Sequence, residues 1–103
     1  MKMPILIRRI EGISMVPSLK PGQLVMAWKY SEPQVGDLVI LWHEDLEKIK
    51  RIHRINGRQY YVLGDNRAVS IDSRHFGYLD RSRIIARVIW PIRFLFRQPE
   101  LPF

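Results

Sequence analysis

Lys48-Ile49-Lys50-Arg51-Ile52-His53-Arg54-Ile55-Asn56-Gly57-Arg58-Gln59-Tyr60-Tyr61-Val62-Leu63 reads as two strands and the turn that joins them. Asn56-Gly57 is the strongest hairpin signal in the chain, because both residues accept the positive φ that a tight antiparallel turn demands. Residues 48–55 and 59–63 on either side have strand length and composition. Working outward, residues 5–10, 24–29, 38–42 and 84–91 repeat the pattern, each run bounded by Pro, Gly, Asn or Asp. Pro21-Gly22 suits a type II turn, since proline presets the first central residue and glycine takes the positive φ of the second. Helix is expected only as a turn after Ser14 and a turn from Asp80 to Arg83, with Asp80 as N-cap. Many short strands with one or two helical turns predict an all-β fold, a small folded sheet or barrel of short antiparallel strands.

A chain of 103 residues with 47% hydrophobic content is expected to form a single domain over 1–103 that buries roughly 65% of the surface its unfolded form exposes. Cysteine is absent, which excludes disulfides and thiolate metal sites. His43, His53 and His75 lack zinc-ligand spacing, so no metal is expected. Seventeen Lys and Arg against ten Asp and Glu give +7, with the excess mostly after residue 47. Such a balance attracts anionic partners without choosing among acidic peptides, lipid headgroups and nucleic acid. The apolar run near the N-terminus is too short for a secretory signal or a membrane span. Ile89-Trp90-Pro91-Ile92-Arg93-Phe94-Leu95-Phe96 is apolar but interrupted, and reads as a final strand whose end can touch a partner or membrane surface. The expectation is a soluble, cytoplasmic protein with weak contact to anionic membranes and no nucleic-acid partner.

Three further blocks carry chemistry. Ser14 lies in Gly12-Ile13-Ser14-Met15-Val16-Pro17-Ser18-Leu19; Lys50-Arg51-Ile52 follows; then come Gly64-Asp65-Asn66-Arg67 and Ser70, Asp72, Ser73, Arg74 and Gly77. A serine hydroxyl is a poor nucleophile until a neighbouring base takes its proton. The hairpin delivers the Lys50 and Gly64 blocks side by side. An exposed lysine leaves roughly one amine in a thousand neutral near pH 7.4, so a lysine base requires burial that lowers its pKa by several units. Ile49, Ile52 and the aromatic residues of the following strand offer that dry environment. Alternation puts Lys48 on the same face as Lys50 and His53 on the opposite one, which makes Lys48 a rival and removes His53 as a base. Asp65 and Asn66 read as turn residues that hold the site, and Arg67 and Arg74 as structural ion-pair partners.

In this order and spacing the blocks resemble the type I signal peptidase family of Ser/Lys proteases, from Glu11 to about Pro91. The resemblance implies that Ser14 is the nucleophile, Lys50 the general base and Ser70 the hydroxyl bonded to the lysine amine. Asp72 and Arg74 then form a supporting ion pair, and Met15 and Pro17 of the nucleophile block contact substrate. The Lys-Arg-Ile match favours Lys50 over Lys48. Gly12 stands where some relatives carry a serine whose hydroxyl serves the oxyanion, which leaves the Ser14 amide as the first donor. No cofactor is implied; the partner is a protein precursor with an N-terminal leader.

Signal peptidases of this kind carry an N-terminal membrane anchor, and many have a large β domain inserted between the lysine block and Gly-Asp-Asn-Arg. Here no anchor is expected and the interval from Lys50 to Gly64 is a bare hairpin. That layout is similar to the short nickel-type superoxide dismutase maturation peptidases, which implies removal of a leader so that a new N-terminus can bind nickel. The alternatives are an unanchored signal peptidase acting on secretory precursors, a self-cleaving repressor-type Ser/Lys peptidase, and a basic β-barrel binding module without protease activity. Gly-Asp-Asn-Arg and the missing DNA-binding domain count against the repressor type, and the binding module leaves the dyad unexplained.

Overall fold

The predicted hairpin forms, one residue out of step with expectation. In the computed structural model, which describes residues 3–91, β4 (Leu46–Asn56) pairs with β5 (Gln59–Leu63), and Asn56 lies opposite Gln59. The loop residues are therefore Gly57 and Arg58, with Gly57 at φ 62 in the region glycine enters without penalty. A second hairpin joins β3 (Leu38–His43) to β4 through Glu44 and Asp45, at φ 52 and 63. Two successive positive φ values match the twist of the flanking strands, but a glutamate pays a steric penalty there.

Four more strands complete the described sheet: β1 (Ile5–Arg9), β2 (Leu24–Trp28), β6 (Leu79–Asp80) and β7 (Ile84–Trp90) join β3, β4 and β5 in the order β1-β2-β7-β3-β4-β5-β6. Every pairing is antiparallel. The chain is all-β, as its sequence predicts. Strand β6 was not expected, nor was the short helix α1 (Ser73–Phe76). Asp72 caps α1: its carboxylate accepts from the Arg74 amide at 3.2 Å, while its own amide donates to His75 Nδ1 at 3.3 Å. Asp80 caps the 3-10 turn Arg81–Arg83, as expected, by accepting from the Ser82 amide at 2.8 Å. The segment after Ser14 forms hydrogen-bonded turns and no helix, with Val16 N on Ile13 O at 3.1 Å and Leu19 N on Met15 O at 2.9 Å.

Both faces of β3 are buried, which is why Leu38-Val39-Ile40-Leu41 is an unbroken apolar run. Leu38 and Ile40 join Ile10, Met15, Leu19, Val25, Ala27, Ala86 and Val88 in one cluster, with Leu6 and Ile49 packed against it. Val39 and Leu41 join Ile52, Tyr60, Val62, Leu79 and Ile84 in a second, flanked by Ile55 and Phe76. A fully buried side chain such as Leu19 or Ile40 contributes about 1.5–3 kcal/mol relative to exposure. The β4–β5 register shifts between Ile52 and Arg54. The extra residue, His53, is what lets Ile52 and Ile55 reach the same cluster although they are three apart.

The expected tail strand ends at Trp90, and the apolar residues from Ile92 to Phe96 lie outside the described residues.

Candidate active site

β5 pairs with β4 only from Arg51 onward, and β1 ends the sheet order. Between the segment that leaves β1 and residues 46–50 of β4 lies a cleft of about 850 Å³, with Val69 and Ile71 on its third side. Gly12, Ser14, Met15, Lys48 and Lys50 all line it. Ser14 and Lys50 are 36 positions apart in the chain, and the fold brings them to one cavity.

Lys50 lies opposite Val39 in the ladder, on the side of the second cluster with Ile52, and is only 4% exposed. Ile49, expected beside the amine, points the other way: it lies opposite Ile40 and packs against the first cluster. The alternation of side chains that sets Lys50 inward sets Ile49 on the far face. The amine of Lys50 donates to Ser70 Oγ at 3.1 Å. Burial pushes the Lys50 pKa down; Asp72 opposes that shift, and Lys48 and Arg74 reinforce it.

Asp72 is fully buried and saturated with donors. Its Oδ1 accepts from Arg74 Nε at 2.9 Å, and its Oδ2 from Gly64 N at 2.9 Å and Arg74 Nη2 at 3.1 Å. Burial alone would raise this carboxyl, but the bonds from Arg74, the Gly64 amide, the Ser70 hydroxyl and the Arg74 amide outweigh it and hold the pKa at about 2. Ser70 thus stands between the Lys50 amine, from which its Oγ accepts, and the Asp72 carboxylate, whose ionised form its hydroxyl favours.

Gly64 is the contact between the two serine-bearing loops. A Cβ on it would stand 2.1 Å from Ser70 Oγ and 2.7 Å from the Ser14 carbonyl oxygen, closer than any side chain tolerates. The next two residues hold the Ser14 loop. Asn66 donates from its amide to Ser14 O at 2.8 Å and from Nδ2 to Ile13 O at 3.0 Å. The Asp65 amide donates to Met15 Sδ at 3.4 Å, and its carboxylate accepts from Ser18 Oγ and, bidentate, from Arg51 at 2.9 and 2.8 Å. Arg51 also donates to Gly36 O at 2.8 Å. Ser18 and Arg51 are the site-holding residues that sequence reading passed over, although both lie inside the quoted blocks.

Met15 is 2% exposed and belongs to the first core cluster while lining the cleft. Pro17 is exposed and does not line it. The Lys48 amine is 3.0 Å from His43 Nδ1 and 5.6 Å from the centre of the Phe76 ring. His53 is exposed on the β4 bulge and lies outside the cleft; its pKa is lowered by partial burial and by Arg67 and Arg54. Among the described residues, no group of three or more His, Asp or Glu side chains is placed to hold a metal, and no helix is long and apolar enough to cross a membrane.

The family model for signal peptidase, peptidase S26, matches residues 42–93, half of the chain. The match contains Lys50, Gly64, Ser70 and Asp72; Ser14 precedes it. The chain is similar to signal peptidase I of Bacillus caldolyticus, at 39% identity over 51 residues that cover 47% of this chain and 28% of the relative. It is similar also to signal peptidase IB of Staphylococcus aureus strain Mu50, at 53% identity over 36 residues, 32% of this chain and 19% of the relative. The chain thus spans less than a third of the length of the curated relatives it matches.

Proposed function

The chain belongs to the peptidase S26 family of signal peptidases, and from that premise we propose that it is a serine endopeptidase that removes an N-terminal leader from a protein precursor. The observation that carries this reading is the buried Lys50 amine, lowered in pKa and oriented by Ser70, in the cleft that Ser14 also lines. In the proposed mechanism the neutral Lys50 amine takes the Ser14 proton as Oγ attacks the scissile carbonyl. The Ser14 amide donates to the oxyanion; a donor in that role is worth about 3 kcal/mol of the barrier. The new ammonium then protonates the leaving amine, which yields an acyl-enzyme. The same amine activates the water that releases the leader. Burial makes Lys50 neutral enough to accept a proton, and Asp72 keeps the transient ammonium tolerable, the balance a base needs near working pH.

Among the described residues no strand pairs with the outer edge of β1 or with that of residues 46–50 in β4, and these edges suit an extended peptide that adds as a strand along the cleft, with Gly12 and Met15 in the wall. Ser14→Ala and Lys50→Ala are each expected to abolish cleavage without unfolding the protein, and the double variant to lose little more, because the pair acts as a unit. Lys48→Ala keeps most activity. Full turnover by Lys50→Ala would sink the assignment.

For the substrate we propose a nickel superoxide dismutase proenzyme. The support is the bare β4–β5 hairpin, whose loop is only Gly57 and Arg58 where many signal peptidases carry an inserted β domain. Incubation with that proenzyme, and with a signal-peptide-bearing precursor as rival, followed by mass spectrometry of the new N-terminus, decides the matter. Cleavage of the rival alone discards the maturation reading.

A further inference from the structure

We propose that Arg54, braced by Tyr61 and Tyr78 on the outer face of β4 and β5, is the centre of a docking site for an acidic segment of the precursor, bound outside the cleft. That the partner is a precursor rests on the peptidase reading; the site itself does not. Arg54 lies opposite Tyr61 in the β4–β5 ladder. Its guanidinium stands 5.7 Å from the centre of the Tyr61 ring, and its Nη1 donates to Tyr78 Oη at 3.3 Å. Tyr78 in turn meets Tyr61 edge-on, with ring centres 5.1 Å apart. Two tyrosines thus hold one exposed guanidinium in place.

The brace matters because this charge is unanswered. Arg58 is paired with Asp80 at 3.1 Å and Arg74 with Asp72 at 2.9 Å, whereas among the described residues Arg54 meets no carboxylate. Asp80 also accepts from the Ser82 amide, and Asp72 is fully buried, so neither is available to Arg54. The exposed bulge residue His53 adds to the patch, its ring 6.2 Å from that of Tyr61, and Arg67 lies near enough to act on it. An arginine already stacked on an aromatic ring loses little freedom when its remaining N–H groups take a carboxylate, so the site is preorganised for one.

The rest of the face selects a peptide as the occupant. Alternation puts Asn56 of β4 and Gln59 of β5, which lie opposite each other, on the same side as Arg54 and Tyr61. A membrane-seated surface carries apolar anchors, and these neighbours are amides. Base stacking needs a ring with an open face, and Tyr61 is already engaged by Arg54, Tyr78 and His53. Exposed amides beside a guanidinium fork match a polypeptide that offers backbone groups and carboxylates. Arg54 is four residues from Lys50 along β4, about 13 Å, so the acidic residues of an extended substrate stand at least about four positions from the cut.

The test uses peptides with one common cleavage segment and a block of three Gln or three Glu about five residues from the cut, on the leader side or the mature side. The wild type is expected to show about fivefold lower KM for the Glu block in at least one placement, with kcat unchanged. Arg54→Gln should erase that gain, and Tyr78→Phe should reduce it about twofold. Arg83→Gln removes the same charge from the exposed 3-10 turn and should retain it. Equal losses in the Arg54 and Arg83 variants would reveal a general effect of net charge and overturn the site, as would KM values blind to the block. Binding in a Ser14→Ala background, to these peptides, to a single-stranded oligonucleotide and to phosphatidylcholine–phosphatidylserine vesicles, separates the remaining readings. If Arg54→Gln weakens the oligonucleotide or the vesicles and leaves the Glu peptide unchanged, the acidic-peptide assignment is wrong. If the wild type cuts no peptide while binding of the Glu block still depends on Arg54, the peptidase reading fails and the docking site stands.

Discussion

The two loops that meet at Gly64 are seated by opposite kinds of chemistry. Residues 11–20, which present Ser14, are seated in the core by apolar side chains, with Met15 2% exposed and Leu19 fully buried; main-chain turn bonds and the bonds from Ser18 to Asp65 and from Asn66 to Ile13 and Ser14 complete the hold. Residues 64–72, which present Ser70, are pinned by charge: Asp65 is clamped by Arg51, and fully buried Asp72 gathers Arg74, the Gly64 amide and the Ser70 hydroxyl. Apolar seating is indifferent to pH and tolerant in direction. Seating by a buried carboxylate is directional and titratable. The hydroxyl proposed to aim the base therefore sits on the directional loop, and the hydroxyl proposed to attack sits on the other.

The comparison breaks hardest at Asp72. Asp72→Ala strands Arg74 and two backbone-held partners, and is expected to cost about 3 to 5 kcal/mol of stability by denaturant unfolding. Glu11→Ala removes a carboxylate from the other loop, where it is exposed, and should stay within about 0.5 kcal/mol. Equal losses in the two variants would erase the distinction. The same asymmetry has a pH signature. Asp72 has a folded pKa of about 2 against 3.8 unfolded, so its contribution, about 2 kcal/mol, is fully present above the unfolded value and is lost as pH falls through the folded one. Lys50 is shifted in the same direction, here by burial, and its linkage has the same sign. Its depressed folded pKa makes protonation at low pH unfavourable to the fold, and cleavage should rise with pH as the amine becomes neutral.

Gly64→Ala attacks both loops at once, since the added methyl collides with Ser70 and with the Ser14 carbonyl. An overpacking cost of about 1 to 3 kcal/mol is expected, together with roughly a hundredfold loss of rate from displaced groups. Wild-type kcat in that variant would show that the loops do not position each other. Ser70→Ala is the gentlest probe. It removes one orienting bond from Lys50, and cleavage should slow by about tenfold, or about 1.4 kcal/mol, without a change in the Ser14 loop. Unchanged kinetics would take Ser70 out of the site.

Sequence reading located six of the strands to within a few residues because a strand buried on at least one face writes its period into the chain, as in residues 24–28 and 46–56. It passed over β6 and α1, which have two and four residues and no period to display. α1 exists because Asp72 caps it, a consequence of burial that residues 73–76 do not carry themselves. The Glu44-Asp45 turn was illegible for a related reason: neither residue prefers positive φ, and the β3–β4 ladder imposes it. Ser14, Lys50 and Ser70 stood out by the resemblance their blocks carry, and the fold places Ser14 and Lys50 in one cleft and Lys50 on Ser70. The orientation of Ile49 and the network of Arg51, Asp65 and Ser18 depend on packing across the sheet, which spacing does not reveal.

The open edges of β1 and β4 carry a hazard as well as a use. Any exposed strand that offers unpaired backbone groups will template a passing strand, whether that belongs to a leader or to a partly unfolded neighbour. The cleft is flanked by charged side chains, Arg8, Arg9, Glu11, Glu47 and Lys48, which an unselected apolar strand would have to strip of water before it could pair. The groove is thereby sticky to backbone and costly to most side chains, a combination that opposes indiscriminate strand pairing while keeping an edge open.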